Sequence, residues 1–324
     1  MELINRILAQ ISRESVAMLP TPFQRLNALS EIFKRDLYVK RDDLTGFAFG
    51  GNKARKLDFL IADALKKGCD SIIGMGYNQS NFCRILAGAG AKFGLSVHLV
   101  LNGNEPKNPT GNLLLDHLLG ATLYHIETTD PEEHQKRALE VKNSLEYDGK
   151  QVYLLPPGGS TTIGALGYVA GWGEIMDDLS QNEVTINKII VASSTAGTQA
   201  GLVVGQAISS WQGEIIGISV DLPQAALEKN VYDLACAVGD FLNINIPKSL
   251  IKVDDHYRGA GYGKRTALAA EAIDLFARKE GIFLDHVYTG KAASALIDYC
   301  RIDKIQSDDS VLFIHTGGNV ELFA

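Results

Sequence analysis

The residue with the greatest chemical potential in this 324-residue chain is Lys53, which follows a glycine pair in Phe49-Gly50-Gly51-Asn52-Lys53. A helical pattern of apolar residues begins at once and runs over 57–65, so Lys53 is expected in the first turn of a helix. The nearby cations Arg55 and Lys56 and the positive helix N-terminus disfavour another positive charge, which predicts a lowered pKa for Lys53. A partly neutral lysine can form a Schiff base with a carbonyl compound. The alternative is an ordinary helix start with a solvated lysine.

Two other turns are suited to binding anions. Gly76-Tyr77-Asn78-Gln79-Ser80-Asn81 follows a predicted strand and opens a helix, where backbone N–H groups can bind a substrate carboxylate. The run from Ser193 to Gly201, Ser-Ser-Thr-Ala-Gly-Thr-Gln-Ala-Gly, has small residues that let amides close around a phosphate. The alternatives are a routine capped turn for the first and close helix–sheet packing for the second. The chain has no dinucleotide fingerprint and no Walker A loop, which argues against a nucleotide.

Two tyrosines and a threonine in glycine-flanked loops are further candidates. Tyr262 lies within 259–263, Tyr288 within 285–291, and Thr316 just before Gly317-Gly318. Each tyrosine could instead be a packing residue with a satisfied hydroxyl, and Thr316 could cap a final short helix. Lys291 is interpreted as a surface charge at the start of a helix.

These turns, together with Leu19-Pro20-Thr21-Pro22, the run Tyr38–Asp43 and the run Ala48–Lys53, resemble the fold-type II pyridoxal 5'-phosphate (PLP) enzymes. The resemblance is to the branch with D-cysteine desulfhydrase and 1-aminocyclopropane-1-carboxylate (ACC) deaminase, and it covers nearly the whole chain. It implies PLP as cofactor, a small amino acid as substrate and a homodimer. It also implies an α/β fold like that of tryptophan synthase β, with two open, mostly parallel sheets and helices on both faces.

The resemblance also implies the role of each site residue. Lys53 carries PLP covalently, Asn81 binds the phenolic oxygen of PLP, and Ser80 meets the substrate. The full set comprises Lys53, Ser80, Tyr262 and Tyr288 for catalysis; Lys53, Asn81, Thr195, Ala196, Gly197, Thr198 and Thr316 for the cofactor; and Asn78, Gln79, Ser80 and Gly159 for the substrate. No metal ligand is among them.

Two positions separate the activities within this branch. ACC deaminases carry Glu where this chain has Thr289 and Leu where it has Thr316, and the two threonines resemble D-cysteine desulfhydrases. The resemblance implies that the Thr316 hydroxyl lies at the pyridine nitrogen of PLP. A hydroxyl there, rather than a carboxylate, leaves the nitrogen largely neutral, which favours elimination of a β-leaving group. The predicted reaction is therefore β-elimination of D-cysteine to pyruvate, ammonia and sulfide. Alternatives are ACC deamination, release of sulfite from a sulfonated cysteine analogue, and a PLP-binding protein without catalysis.

Some residues depart from the family's pattern. Tyr77 and Asn78 stand where a small residue and Ile are usual, Phe82 where His or Gln often stands, and His286 where Pro is usual. The extra hydrogen-bond donors at Tyr77 and Asn78 favour the alternative of a sulfonated cysteine analogue as substrate. These departures affect the specificity rather than the class of reaction.

Short apolar runs alternate with helical patterns along the chain, which predicts parallel βαβ units. The turn-rich stretch 156–160 separates two such blocks. The resemblance implies that residues 1–50 join 166–324 in a large PLP-binding domain and that 51–165 form a smaller inserted α/β domain.

Composition excludes several classes of protein. The net charge is 31 − 38 = −7, with no basic footprint for nucleic acid. Hydrophobic residues make up 46% and charged residues 21%, as in ordinary globular proteins. No membrane-spanning run or signal peptide is recognisable, so a cytoplasmic location is expected. The four cysteines show neither metal-binding nor redox spacing, which predicts free thiols and no metal.

Overall fold

The computed structural model describes residues 2–128 and 130–324, and it contains two separate, mainly parallel sheets. The strands are β1 (Phe23–Arg25), β2 (Asp36–Lys40), β3 (Ser71–Tyr77), β4 (Ser96–Asn102), β5 (Thr122–Ile126), β6 (Val152–Leu155), β7 (Lys188–Ser193), β8 (Glu214–Ser219), β9 (Lys252–Asp254) and β10 (Ser310–Ile314). The larger sheet has the order β1-β2-β10-β7-β8-β9, and the smaller has β5-β4-β3-β6. Among the strand pairs of the described residues, only that of β1 with β2 is antiparallel.

Helices cover the sheets as the alternating pattern predicts. They are α1 (Glu2–Leu8), α2 (Asn27–Phe33), α3 (Lys53–Lys66), α4 (Asn81–Phe93), α5 (Gly111–Leu118), α6 (Pro131–Tyr147), α7 (Thr162–Gln181), α8 (Gly197–Ser209), α9 (Gln224–Leu242), α10 (Ala267–Glu280) and α11 (Thr289–Arg301). The predicted fold class is confirmed. Within the described residues, no helix has the length and apolar character that crossing a membrane requires.

The sequence pattern missed β1 and β9, because three residues are too few to show a period of two. β1 and β2 join the larger sheet, and the smaller sheet is built wholly from residues between Ser71 and Leu155. The proposed domain boundary at 165/166 falls inside α7. The division into two domains therefore stays a prediction.

Glycines in β3 let helix α4 approach the smaller sheet closely. A Cβ at Gly74 would lie 2.5 Å from Leu86 Cδ2, and one at Gly76 would lie 2.7 Å from Ser80 Oγ. Both distances are shorter than real Cβ contacts, so a larger residue at either position would force helix α4 or its side chains to shift. The close approach sets the N-terminus of α4, with Ser80, at the carboxyl end of β3.

Helix α3 is fixed to the larger sheet by a buried ionic network around Arg55. Its guanidinium donates to Asp42 at 2.7 and 2.9 Å and to both oxygens of Glu174 at 2.9 Å. Lys40 adds ion pairs to Glu174 at 2.6 Å and to Asp178 at 2.5 Å. Burial alone would raise the pKa of Glu174, but the hydrogen bonds from Arg55 lower it to about 2.

We expect Arg55→Met to lower the free energy of unfolding by about 3–5 kcal/mol, because it leaves the buried carboxylate of Asp42 without its cation. Urea unfolding would measure this change. The matched control is Arg25→Met, which removes an exposed ion pair with Asp36 and should cost less than about 1 kcal/mol. Equal effects of the two substitutions would contradict the assigned role of the network.

Candidate active site

A cavity of about 250 Å³ lies at the carboxyl ends of strands from both sheets. Its lining includes residues at the ends of β3, β4 and β7 and just after β10, where open α/β sheets bind their ligands. The cavity brings together ten of the residues predicted from the sequence: Lys53, Ser80, Asn81, Thr195, Ala196, Gly197, Thr198, Tyr262, Tyr288 and Thr316.

The backbone shortly before Lys53 accommodates only glycine at position 50. Gly50 has φ +70°, and a Cβ there would overlap the carbonyl oxygen of Asp43. The loop is tied to the end of β10 by the N–H of Asn52, which donates to Thr316 O at 2.9 Å. The Asn52 side chain donates to Thr198 Oγ1 at 2.9 Å and accepts from Lys53 Nζ at 3.0 Å. These bonds fix the lysine between the end of β10 and the start of α8.

The pKa of Lys53 is lowered to about 8, as the sequence predicted, but the cause differs. Burial is the largest effect and the positive charge of Arg84 is the second, while Asp285 acts in the opposite direction. Arg55, which the sequence suggested as a cause, is neutralised by Asp42 and Glu174. Closeness in the sequence therefore did not identify the cation that lowers the pKa of Lys53.

Arg84, which sequence reasoning missed, joins the lysine loop to Asn81. It is fully buried in α4 and donates to Gly50 O and to Asn81 Oδ1, each at 2.7 Å. Asn112 Nδ2 also donates to Asn81 Oδ1, at 3.1 Å. Because Oδ1 of Asn81 accepts from both side chains, its amide NH₂ is the group left to donate into the cavity. This suits the predicted contact with a phenolic oxygen.

The turn between β7 and α8 has the character of a phosphate site. Ala196 adopts φ +66° and, with Gly197 and Thr198, lines the cavity at the start of α8. The N–H of Gly197 donates to Thr195 O at 2.8 Å, which leaves the next N–H groups of this first turn available for an anion. Ser193 Oγ is buried and has no hydrogen-bond partner within the part of the chain that the structure describes. An unsatisfied donor beside a helix N-terminus suits a phosphate oxygen.

A buried lysine that the sequence did not assign to the site stands behind this turn. Lys56 Nζ donates to Gly158 O and to Ser160 Oγ, both at 3.1 Å, and Ser160 Oγ donates to Thr195 Oγ1 at 2.8 Å. A Cβ at Gly197 would lie 2.5 Å from Lys56 Nζ. The residues of the cavity thus fit PLP: this turn would hold its phosphate, Lys53 would bond to its aldehyde, and Asn81 would contact its phenolic oxygen.

Two tyrosine hydroxyls in the lining of the cavity contact each other. The hydroxyls of Tyr262 and Tyr288 are 2.6 Å apart, and the ring of Tyr77 stacks on that of Tyr262 with centroids 4.8 Å apart. Burial raises the pKa of both Tyr262 and Tyr288, so both phenols keep their protons near neutral pH. One proton is shared between the two hydroxyls, and the other is free to be donated to a ligand.

Tyr288 is presented by a buried aspartate that the sequence analysis did not single out. Asp285 accepts from the N–H groups of Val287, Tyr288 and Thr289 at 2.7–2.8 Å and from Thr289 Oγ1 at 2.6 Å. The carboxylate therefore caps the start of α11 and fixes the turn that carries Tyr288.

Three predicted substrate residues do not line the cavity, and one interpretation was wrong. Asn78 donates to Asn104 O, Gln79 contacts Thr110 and Asn112 through its side chain, and Gly159 packs on Phe82 and Leu60. Gly158 lines the cavity where Gly159 was expected. A role for Asn78, Gln79 and Gly159 in binding substrate stays a prediction. Lys291 is not a surface charge but fully buried.

Arg84 allows a test of the origin of the low pKa of Lys53. Since only the neutral amine attacks an aldehyde, the rate at which the apoprotein captures PLP should rise with pH through about 8. We expect Arg84→Met to move this midpoint upward, because removing a like charge favours the protonated amine. Absorbance after PLP addition, recorded across neutral and alkaline pH, measures it. Arg84→Lys, which keeps the charge, is the control, and an unchanged midpoint in Arg84→Met would contradict the assignment.

Relatives and solved structures resemble the chain over its full length. A Pyrococcus abyssi protein is 38% identical over 320 residues, covering 99% of this chain and 96% of its own. A Pyrococcus furiosus protein is 40% identical over 315 residues, covering 97% and 94%. Both are named "Putative 1-aminocyclopropane-1-carboxylate deaminase".

Among solved structures, an ACC deaminase homologue superimposes with a TM-score of 0.93 at 37% identity, covering all of this chain and 97% of its own. A threonine deaminase from Solanum lycopersicum superimposes with a TM-score of 0.70 at 16% identity over 98% of this chain and 85% of its own, which shows a shared fold.

Residues 15–317 match the family described as "Pyridoxal-phosphate dependent enzyme". The match covers most of the chain, and the residues of the cavity suit the same cofactor. The chain therefore belongs to the fold-type II PLP-dependent enzymes, in the family of ACC deaminase and D-cysteine desulfhydrase.

Proposed function

We propose that the protein is a deaminating lyase that eliminates the β-substituent of a small amino acid, with D-cysteine as substrate. The products are pyruvate, ammonia and sulfide. The observation that carries the choice of elimination over ring opening is the environment of Thr289. Its side chain is fully buried, and its hydroxyl and N–H both donate to Asp285 Oδ1.

A glutamate at position 289, the residue expected in ACC deaminases, would not fit this environment. Its carboxylate would meet the carboxylate of Asp285 in a buried turn, where two negative charges repel strongly. The turn that carries Tyr288 therefore requires the hydroxyl of Thr289 at this position. The site consequently lacks the additional acid that the resemblance associates with ring opening.

The residues of the site have complementary roles in elimination. Bound PLP supplies the electron sink that stabilises negative charge at Cα of the substrate. Lys53, with a pKa near 8, would accept the proton from Cα and give it up to solvent when the enamine product leaves the site and hydrolyses to ketoacid and ammonia. The hydroxyl pair of Tyr262 and Tyr288 donates a proton to the departing group at Cβ.

The other groups orient the substrate and limit access of water. Ser80 caps α4 through its hydroxyl, which accepts from the N–H of Cys83 at 3.2 Å, and the positive end of this helix suits the substrate carboxylate. Tyr77 is about half exposed, so one face of its ring meets solvent while the other covers Tyr262. A substrate in the cavity is therefore shielded on the side of its leaving group.

ACC deamination is the second candidate, and the names of the two Pyrococcus relatives and of the solved homologue favour it. Both reactions use the same cofactor, both include proton transfer by Lys53, and both release ammonia. They differ in the bond that breaks at Cβ, which is a carbon–sulfur bond in one and a ring carbon–carbon bond in the other. Their products therefore distinguish them directly.

The discriminating experiment measures ketoacid, ammonia and sulfide released by PLP-loaded protein from D-cysteine, L-cysteine and ACC. We expect pyruvate and an equal amount of sulfide from D-cysteine. Lys53→Ala is the control and should give no turnover with any of the three. Release of 2-oxobutanoate from ACC, without sulfide from D-cysteine, would replace the first candidate by the second. Silence with all three would contradict both.

Thr289→Glu tests the structural argument. We expect loss of stability by about 3 kcal/mol and loss of turnover of D-cysteine, without gain of ACC deamination, because an uncompensated buried carboxylate disrupts the Tyr288 turn. Thermal unfolding and the same product assays measure both effects. Thr289→Ser keeps the hydroxyl and should behave nearly as wild type. A stable Thr289→Glu variant that opens ACC would show that the turn accepts the acid and would overturn the argument.

A further inference from the structure

Lys291 is one of the largest fully buried side chains in the protein, although it lies in the first turn of α11. Its ammonium donates to three backbone carbonyls: Val220 O at 2.9 Å, Arg258 O at 2.8 Å and Gly261 O at 2.8 Å. An ammonium has three N–H donors, and each is used once. Since all three acceptors are main-chain carbonyls, the side chain fixes the backbone rather than pairing with an acid.

Two of the three carbonyls bound by Lys291 belong to the loop that carries Tyr262, and the third, Val220 O, directly follows β8. Arg258 and Gly261 lie in the irregular segment 258–263, whose glycines Gly259, Gly261 and Gly263 all have positive φ. The segment's own backbone bonds are long, 3.3 Å for Gly261 to Arg258 and 3.3 Å for Lys264 to Gly261. A glycine-rich loop of this kind has many alternative conformations, so an external anchor is needed to hold it in one.

Lys291 and Tyr288 lie close together in the sequence, at the start of α11. Tyr288 is the N-cap residue of α11, and Lys291 is the third residue of that helix. Tyr262 directly follows Gly261, whose carbonyl accepts from Lys291. One short path therefore connects the two hydroxyls, from Tyr288 through Lys291 to the Tyr262 loop.

We propose that Lys291 is a positioning residue that holds the Tyr262 loop on α11 and so fixes the Tyr262 hydroxyl against that of Tyr288. The inference rests on the proposed role of this hydroxyl pair as the proton donor at Cβ. A shift of about 1 Å in a catalytic group can cost on the order of 10²-fold in rate. Lys291 thus acts on the reaction through Tyr262, without contacting the substrate.

The first experiment is hydrogen exchange of the PLP-loaded protein, because it requires no turnover. Lys291→Met should increase exchange of the amides of 258–264, whereas amides of α4 and α8 stay protected. The matched control is Lys188→Met, which removes a half-buried lysine paired with Asp309 at 2.5 Å, at the opposite end of β7 from the site. If Lys291→Met does not fold, Lys291→Gln retains two N–H donors and is used in its place. Unchanged exchange of 258–264 would overturn the inference, whatever the substrate.

The second experiment is a double-mutant cycle on kcat with Tyr262→Phe. We expect Lys291→Met to lower kcat roughly 10- to 100-fold in the wild-type background, with a smaller change in KM. In the Tyr262→Phe background it should have little further effect, because the hydroxyl that it positions is absent. Fully additive effects would mean that Lys291 acts elsewhere and would overturn the inference. Increased exchange with unchanged kcat would instead remove the hydroxyl pair from the proposed mechanism.

Discussion

A buried guanidinium that is not neutralised by a direct carboxylate contact is the feature on which the site depends. Arg84 is fully buried, and burial lowers its own pKa to about 10, against the opposing effect of Asp116. Burial raises the pKa of Asp116 to about 8, and neither of its carboxylate oxygens has a partner among the described residues. The raised pKa reduces the negative charge that Asp116 carries at neutral pH. Asp116 therefore cancels the effect of Arg84 on Lys53 only in part, while the same guanidinium fixes Gly50 and Asn81.

Arg55 is a second buried arginine, but its role differs from that of Arg84. It is equally buried, but Asp42 and Glu174 surround it with two carboxylates at hydrogen-bond distance. Its charge is cancelled locally, so it fixes helix α3 in place without acting on Lys53, two residues before it. Arg55 stabilises the fold and Arg84 lowers the pKa of Lys53, because two carboxylates lie within hydrogen-bond distance of Arg55 and none is paired directly with Arg84 among the described residues.

Local patterns predicted the elements and most of the cavity, because strand–turn–helix units carry their signals within a few residues. Lys53 and the turns at 76–81 and 193–201 were found in this way, and the family resemblance then assigned Ser80, Asn81 and residues 195–198 to the site. Arg84 and Asp285 were missed because their roles arise from contacts between segments that are distant in the sequence. Lys291 was misinterpreted, since a lysine at a helix start is usually solvated. A signal was present, however: Ala292, Ala293, Ala295, Leu296 and Ile297 leave α11 with little polar surface, as expected for a buried helix.

The tyrosine pair connects these features to the choice of reaction. Asp285 fixes the Tyr288 turn, Lys291 fixes the Tyr262 loop, and Tyr77 stacks on the ring of Tyr262. The proposed proton donor is thus constrained by the capping turn, by the loop anchor and by the aromatic ring of Tyr77. A donor held this rigidly would not follow leaving groups of different size and direction. Selectivity among small amino acids should therefore come from where each substrate places its Cβ relative to a fixed hydroxyl pair, rather than from movement of the pair toward the substrate.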